Sequence, residues 1–293
     1  MPAERPARTR IQAPTECPSL TRMDGRIFER FSEFIKSELG IKMPASKKTL
    51  LEARLQKRLR ELGMATHEEY CEYLFSPRGM DEELVNLVDV VTTNTTDFFR
   101  EPKHFELLST IVLPALASRG AGGRGVHVWS AGCSSGEEPY TLAMVLSEYA
   151  RLNGGLKFNI LATDISTQVL RLAVRAIYPE SKIGPIPPEY KKRYLLRSKD
   201  RTRRLVRIGP EARGHVRFRR LNFMEEFSFD GQLDIIFCRN VVIYFDRRTQ
   251  EVLFSRFCRK LAVGGYLFIG HSESLAGMDL PLEAVAPTVY KRI

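Results

Sequence analysis

From residue 126 onward, apolar runs of strand length alternate with segments of helical periodicity, and this alternation limits the possible folds more than any other feature. The strand-like runs are VHVWSA, FNILATD, LDIIFCR, GGYLFIG and the closing TVYKRI. Helical patterns between them cover 137–152, 168–177 and 247–261. Strands that alternate with helices form parallel sheets. The sequence therefore predicts an α/β fold whose last two strands, joined by no long helix, can pair antiparallel at one edge.

Two arginine-rich runs interrupt the alternation, RTRRLVRI at 201–208 and GHVRFRRLNF at 214–223. Gly209, Pro210 and Gly214 lie between them, and these residue types favour turns. The pattern predicts that the two runs pair as a small antiparallel insertion, a β-subdomain at about 196–222.

Helical patterns come before the sheet. They cover 24–39, a segment from Ser46 (the expected N-cap) to Leu62, then 66–75, 81–91 and 101–118. Pro77 and Gly79 are typical of a turn between two of these helices. We expect a flexible polar tail at 1–20, a helical domain at 21–92 and the α/β domain at 93–293.

Composition excludes several classes of protein. No apolar run approaches the roughly 18 residues that a membrane span needs, and the N-terminus lacks the apolar stretch of a secretory signal. The five cysteines form no CxxC pair, so no disulfide framework and no metal site are predicted. Reduced thiols fit a cytoplasmic protein. The net charge of +10 suggests an anionic partner, although it can also serve solubility alone.

The turn GCSSGEEPY follows the first strand, at the position where doubly wound sheets bind nucleotides. Gly132 and Gly136 would let the backbone approach a ligand closely. Glu137 and Glu138 begin the next helix, where two carboxylates would repel a phosphate. They suit a ligand with a cationic amino acid group, such as S-adenosylmethionine. Glutamates also favour the positive end of a helix without any ligand, so charge alone leaves both interpretations open.

Polar residues end two further strands. Asp164 closes FNILATD, where an acidic residue can accept hydrogen bonds from both ribose hydroxyls. It can instead cap the next helix, but Ser166 is available for that role. Arg239 and Asn240 follow LDIIFC at the same edge of the sheet, where ligands sit in open parallel sheets.

The segment TTNTTDFFRE, residues 92–101, combines five small polar residues with two phenylalanines and an arginine. A simple hinge between domains needs no such composition. We expect the segment to cover the site, with Phe98 and Phe99 packing and Arg100 reaching inward. An ordinary hinge is the alternative.

Together these segments resemble the CheR family of chemotaxis-receptor methyltransferases. The matching pieces, in family order, are TTNTTDFFRE, SAGCSSGEEPYTLA, ATDIS, LNF, FCRNVVIYFD and GGYLFIGHSES, and the resemblance extends from about Asp24 to the end. It implies a Rossmann-like class I S-adenosylmethionine-dependent methyltransferase domain that carries a small β-subdomain insertion. A small all-α domain precedes it.

The resemblance also implies the reaction. A glutamate γ-carboxylate in the cytoplasmic domain of a methyl-accepting chemotaxis receptor becomes a methyl ester, and S-adenosylhomocysteine is left. Gly132, from the turn described above, is one candidate cofactor contact. By matching motif positions, the resemblance implies that the others are Asn94, Thr96, Arg100, Glu137, Asp164, Asn222, Phe223, Asn240 and Val241.

A glutamate side chain has a reference pKa of about 4.3, so at neutral pH it is already an anion and needs no general base. Catalysis then depends mostly on aligning the reacting groups. We expect Arg100 and Tyr244 to place the carboxylate or the methionine moiety as catalytic residues, although both can be structural.

The second helix carries Arg54, Lys57, Arg58 and Arg60 beside or opposite its leucine stripe, so these side chains are expected to face solvent. We expect them to dock on a glutamate-rich receptor helix. The alternative is that these side chains are only solvated and bind no partner. We expect a monomer that reaches the membrane only through receptors.

The sequence leaves two other functions to consider. A nucleic-acid methyltransferase would need aromatic stacking platforms, but the arginine-rich runs offer only Phe218. Amine-directed enzymes commonly carry an Asn/Asp-Pro-Pro-Tyr run, and here the corresponding run is 240–244, NVVIY. The third possibility is a non-catalytic cofactor-binding signalling module. The intact polar set at Arg100, Glu137, Asp164 and Asn240 argues against decay, and no nucleic-acid partner is predicted.

Overall fold

A computed structural model describes residues 22–121, 124–227, 229 and 231–293. The predicted tail at 1–20 lies outside these residues. The chain begins with four helices: α1 (Gly25–Leu39), α2 (Lys48–Leu62), α3 (His67–Leu74) and α4 (Pro77–Val91). Their apolar faces meet in one core, which includes Phe31, Ile35, Leu55 and Tyr70.

Local sequence sets the ends of these helices, in places differently from the prediction. Asp24 caps α1, and Gly40 ends it in the left-handed region at φ 70°. Ser46 is not the cap of α2, because Ala45–Lys47 forms a 3₁₀ turn that leads into the helix. The turn predicted at Pro77 is wrong as well. Ser76 caps α4, and Pro77 occupies its first position, where a missing N–H costs nothing.

From residue 103 onward the chain forms the α/β part. Its helices are α5 (103–121, with π-helical turns at Leu108–Val112 and Ala117–Ala121), α6 (Glu137–Leu152), α7 (Thr167–Arg175), α8 (Pro188–Tyr194), α9 (Pro210–Arg213) and α10 (Arg247–Lys260). The strands are β1 (Val126–Ala131), β2 (Phe158–Asp164), β3 (Ile177–Pro179), β4 (Leu195–Arg197), β5 (Leu205–Ile208), β6 (Val216–Arg220), β7 (Leu233–Cys238), β8 (Leu261–Ile269), β9 (Leu282–Ala286) and β10 (Val289–Arg292).

Within the described residues, the main sheet has seven strands in the order β6-β2-β1-β7-β8-β10-β9. β6, β2, β1, β7 and β8 run parallel, and β10 is antiparallel to both of its neighbours. The predicted α/β class and the antiparallel pairing of the closing run are confirmed. β9 was not predicted, and it puts β10 one strand inside the edge.

The predicted pairing of the two arginine-rich runs is wrong. β5, from the first run, lies between β3 and β4 in a separate three-stranded antiparallel sheet. β6, from the second run, extends the main sheet beside β2, with Ile160 opposite Val216 and Asp164 opposite Arg220. Burial explains the separation, because Val216 and Phe218 pack against the core cluster of Ala162 and Leu170.

The main sheet is covered on both faces, because successive residues of its strands point to opposite sides. Val126 and Val128 pack with α5 and α6 on one face, whereas Trp129 and Ala131 pack with α10 on the other. The helical part lies against the carboxyl edge of the sheet. There the Lys42 N–H donates to the Tyr244 carbonyl at 2.8 Å, and the Asn222 amide donates to the Glu38 carbonyl at 2.8 Å.

Among the described residues, no helix has both the length and the apolar character that a membrane span requires.

Candidate functional site

A cleft lies between the N-terminal helices and the carboxyl ends of β1, β2 and β7. Its volume is about 1200 Å³, including the solvent at its opening. The cleft is where ligands of open parallel sheets bind. The residues of the predicted site that line it are Asn94, Thr96, Arg100, Gly132, Asp164, Asn222, Phe223, Asn240, Val241 and Tyr244. The sheet thus brings together side chains that are far apart in the sequence.

Gly132 forms the floor of the cleft at the end of β1. Its φ is +80°, and a Cβ built on it would lie 2.4 Å from Cγ2 of Val241. The N–H groups of Gly132 and Cys133 both donate to the Thr163 carbonyl at 2.8 Å, which fixes the turn. Only glycine fits this backbone and this contact.

Asp164 ends β2 with its carboxylate at the cleft. Oδ2 accepts the N–H of Ser134 at 2.8 Å, and Oδ1 accepts the N–H of Ser166 at 2.9 Å. Burial raises the pKa of Asp164, and these backbone donors lower it. Ser166 caps α7, as expected, which leaves the Asp164 carboxylate free to hold the turn and to face a ligand.

The two glutamates at the start of α6 point to different places. Glu138 lines the cleft, but Glu137 is not among the lining residues. Glu137 is buried, accepts the Ser135 hydroxyl at 2.7 Å and lies 3.5 Å from the Lys182 ammonium. Successive helical residues are about 100° apart around the axis, so the two side chains point in different directions. A direct contact of Glu137 with the cofactor stays a prediction.

Arg239, which the sequence placed with Asn240 at the ligand-binding edge of the sheet, was not among the predicted contacts. Its side chain is only 2% exposed, and it pairs with Glu101 at 3.1 Å and Glu138 at 3.2 Å. It also donates to the Arg100 carbonyl. The guanidinium fork suits such a shared position. An arginine at the end of a buried strand, with acidic residues in two other motifs, was the signal available in the sequence.

The segment 92–101, here called the covering segment, is anchored along its length. The Ser134 hydroxyl donates to the Asn94 carbonyl at 2.7 Å, and the Phe99 N–H donates to the Thr141 hydroxyl at 3.2 Å. Phe98 is fully buried, with its ring 5.0 Å from that of Tyr178. These contacts describe a fixed cover on the cleft and not a free hinge.

The two predicted catalytic residues lie on different walls. Arg100 donates to the Thr95 carbonyl at 3.1 Å from the covering segment. Tyr244 ends a 3₁₀ turn, Val242–Tyr244, and the ammonium of Lys47 lies 5.6 Å from the centre of its ring. Lys47 also lines the cleft. The cleft therefore has cationic groups on the side that the helical part contributes.

The four basic residues of α2 do not form one solvent-facing surface, and this expectation is wrong for two of them. Arg54 lines the cleft and donates to the carbonyls of Val91 and Thr92. Arg58 is 16% exposed and pairs with the buried Glu83 at 2.6 Å. Lys57 and Arg60 are exposed. Burying the α2–α4 contact turns Arg54 and Arg58 inward.

The floor of the cleft suits S-adenosylmethionine. A glycine turn and the carboxylates of Asp164 and Glu138 lie there, and the carboxylates can accept hydrogen bonds from hydroxyls and an ammonium. Burial raises the pKa of Glu138, and Arg239 lowers it.

Comparison with known proteins supports this assignment. The family model described as "CheR methyltransferase, SAM binding domain" matches residues 94–291. The chain belongs to the CheR methyltransferase family. The model described as "CheR methyltransferase, all-alpha domain" matches residues 26–92. The chain is therefore an S-adenosylmethionine-dependent methyltransferase of this family.

Curated relatives match along nearly their whole length. A chemotaxis protein methyltransferase of Borreliella burgdorferi is 41% identical over 267 residues, 90% of this chain and 93% of the relative. Chemotaxis protein methyltransferase 2 of Pseudomonas aeruginosa is 38% identical over 264 residues, 90% of this chain and 91% of the relative. The Escherichia coli chemotaxis protein methyltransferase is 36% identical over 264 residues, 90% and 89% of the two chains.

Proposed function

We propose that this CheR-family methyltransferase esterifies glutamate γ-carboxylates in the cytoplasmic domain of chemoreceptors, as part of chemotactic adaptation. One observation carries the proposal. Among the described residues that line the cleft there is no histidine, whereas Lys47, Arg54 and Arg100 stand at the walls. An amine acceptor would have to lose a proton first. A carboxylate arrives as an anion, and cationic walls attract it.

The chain's own groups then supply position and charge. Bound S-adenosylmethionine supplies a methyl group on a cationic sulfur. Arg54 already donates to two backbone carbonyls and to the Thr93 hydroxyl at 2.8 Å, so its guanidinium is held at the wall of the cleft. Arg100 keeps donors free beyond its bond to Thr95. Aligning the acceptor with the methyl group can lower the activation free energy by about 7 kcal/mol in well-oriented systems.

Tyr244 is proposed to position the incoming carboxylate through its hydroxyl. Its backbone carbonyl accepts the Lys42 N–H, and the Lys47 ammonium lies 5.6 Å from the centre of its ring. The variant Tyr244→Phe keeps the ring and removes the hydroxyl. We expect turnover to fall while the binding of S-adenosylmethionine stays unchanged, and unchanged turnover would remove Tyr244 from the mechanism.

The receptor is proposed to dock on the exposed part of α2, through Lys57 and Arg60, with Arg54 inside the cleft. Receptor helices rich in glutamate complement such a surface. The proposal includes a cytoplasmic monomer that meets the membrane only through its receptors. Names of the relatives, which refer to chemotaxis, support the partner class.

The experiment is a methyl-transfer assay with S-[methyl-³H]adenosylmethionine and membranes that carry the organism's own chemoreceptors. We expect label on receptors that alkali releases as methanol, the behaviour of a carboxyl methyl ester. Receptors with glutamine in place of the candidate glutamates, and the enzyme variant Asp164→Ala, serve as controls without label. Alkali-stable label would mean nitrogen or another acceptor and would overturn the proposal.

A further inference from the structure

Lys182 connects the region of the small antiparallel sheet to the covering segment. It lies in the 3₁₀ turn Glu180–Ile183, which directly follows β3. Its ammonium donates to the Thr96 carbonyl at 2.8 Å and lies 3.3 Å from the Asp97 carboxylate. It is also 3.5 Å from the Glu137 carboxylate at the start of α6. Three separate parts of the chain therefore meet at one ammonium group.

Three side-chain anchors of the covering segment differ from Lys182 in burial. Ser134, Thr141 and Arg239 hold the segment at Asn94, Phe99 and Arg100, and all three are buried. The side chain of Lys182 is 39% exposed. Solvent therefore reaches Lys182 more easily than these three, as it also reaches the partly exposed Arg54 at the start of the segment. Lys182 also fixes the part of the segment that carries Thr96, a predicted cofactor contact.

Glu137 makes this anchor specific to a cation. The carboxylate is buried, and burial raises its pKa while Lys182 lowers it. Its second oxygen already accepts the Ser135 hydroxyl. Without the ammonium, the Thr96 carbonyl and the carboxylates of Asp97 and Glu137 would lose the cation that they share.

We infer that Lys182 is a positioning residue that holds the covering segment closed over the cleft and thereby sets the affinity for S-adenosylmethionine. A protein whose binding-competent form is only partly populated binds its ligand more weakly by that fraction. Arg239 and Thr141 would keep Arg100 in place after Lys182 is lost. The effect therefore falls on cofactor binding more than on the transfer step. The inference rests on the cofactor and not on the identity of the methyl acceptor.

The test compares Lys182→Met, which keeps the stem and removes the charge, with the full-length wild-type protein. We expect the calorimetric Kd for S-adenosylmethionine to rise about fivefold, the effect of losing one half-exposed charge-assisted contact. In assays with a methyl acceptor that the enzyme uses, the KM for S-adenosylmethionine should rise similarly, while kcat stays within about twofold of the wild-type value. Amide exchange at 92–97 should become faster. Lys182→Arg should restore most of the affinity.

Lys191→Met is the matched control, because the Lys191 ammonium donates to the Gly184 carbonyl at 3.1 Å, within the same small region and away from the covering segment. It should leave Kd unchanged. If Lys182→Met lowers thermal stability but leaves Kd and amide exchange at 92–97 as in the wild type, the role of Lys182 is only structural and the inference fails. Because binding is measured directly, that failure is distinct from a failure to label receptors.

Discussion

Glu273 holds Asn240 in place from across the sheet edge: its Oε2 accepts the Asn240 N–H at 3.0 Å. The other oxygen accepts the N–H groups of Val241 at 2.8 Å and Val242 at 2.9 Å. Asn240 has a φ of 59°, in the left-handed region that few residues other than glycine and asparagine adopt. One buried carboxylate therefore fixes the turn that presents Asn240 and Val241 to the cleft.

Glu273→Gln should test this arrangement. An amide offers one acceptor oxygen and turns two N–H donors toward the backbone N–H groups of the turn, so buried donors lose their partners. We expect the free energy of unfolding to fall by about 2 kcal/mol in urea titrations, together with weaker binding of S-adenosylmethionine. Glu283→Gln, on exposed β9, is the control and should change stability by less than about 0.5 kcal/mol. Equal behaviour of the two variants would contradict the role of Glu273.

The sequence predicted the edge of the sheet well, because strand ends and turns are local. Asp164 and Asn240 each follow a short apolar run, and the rule that parallel strands end at one edge brings them together. The choice between Glu137 and Glu138 was not local. It depends on the rotation of α6 against the sheet, and on Arg239 and Lys182, which pair with Glu138 and Glu137 respectively.

Other differences have the same origin in tertiary packing. The arginines of β6 suggested that it pairs with β5 in a hairpin. Its apolar residues, Val216 and Phe218, are instead packed against the core because β6 pairs with β2. Arg58 was predicted to face solvent, but it pairs with Glu83, which lies 25 positions later in the chain. β9 has no periodic apolar face, since most of its residues are exposed, and only pairing with β10 identifies it.

Gly132→Ala should be far more harmful than an ordinary glycine substitution. The new Cβ would lie 2.4 Å from Val241 at a φ of +80°. Gly155→Ala is the matched control, because its φ is +97° and nothing lies within 4 Å. We expect the control to lose about 1 kcal/mol of stability from backbone strain. Gly132→Ala should lose about 3 kcal/mol and most of its cofactor affinity, because the overpacking adds to the strain. Similar losses in urea titrations would show that the contact with Val241 can relax.

Stability should fall as the pH falls from 6.5 toward 4, because of His104. Burial and the neighbouring Arg239 lower the pKa of His104 to about 4, although Glu101 raises it. In the unfolded chain the pKa returns to about 6.5, so between these values the unfolded state binds a proton that the folded state does not. The largest slope from this one group is about 1.4 kcal/mol per pH unit.

Urea titrations at several pH values between 5 and 7.5 would measure the slope. His104→Gln stays neutral and can still donate to the Thr288 hydroxyl, which His104 contacts at 2.8 Å. This variant should have a flatter dependence than the wild type in that range. His127→Gln, on a partly exposed side chain, is the control and should keep the wild-type slope. A slope that survives in His104→Gln would assign it to other groups.

Reversing the exposed charges of α2 should weaken the binding of the methyl acceptor and leave the binding of the cofactor unchanged. In Lys57→Glu/Arg60→Glu, two side chains that face solvent become anionic, so a glutamate-rich receptor helix is repelled. We expect KM for receptor membranes to rise about tenfold at low salt, with the Kd for S-adenosylmethionine unchanged. The difference should shrink as salt screens the charges. The variant Arg171→Glu/Arg175→Glu, with the same charge change on exposed positions of α7, controls for net charge. Equal effects of the two double variants would mean long-range attraction and not docking on α2.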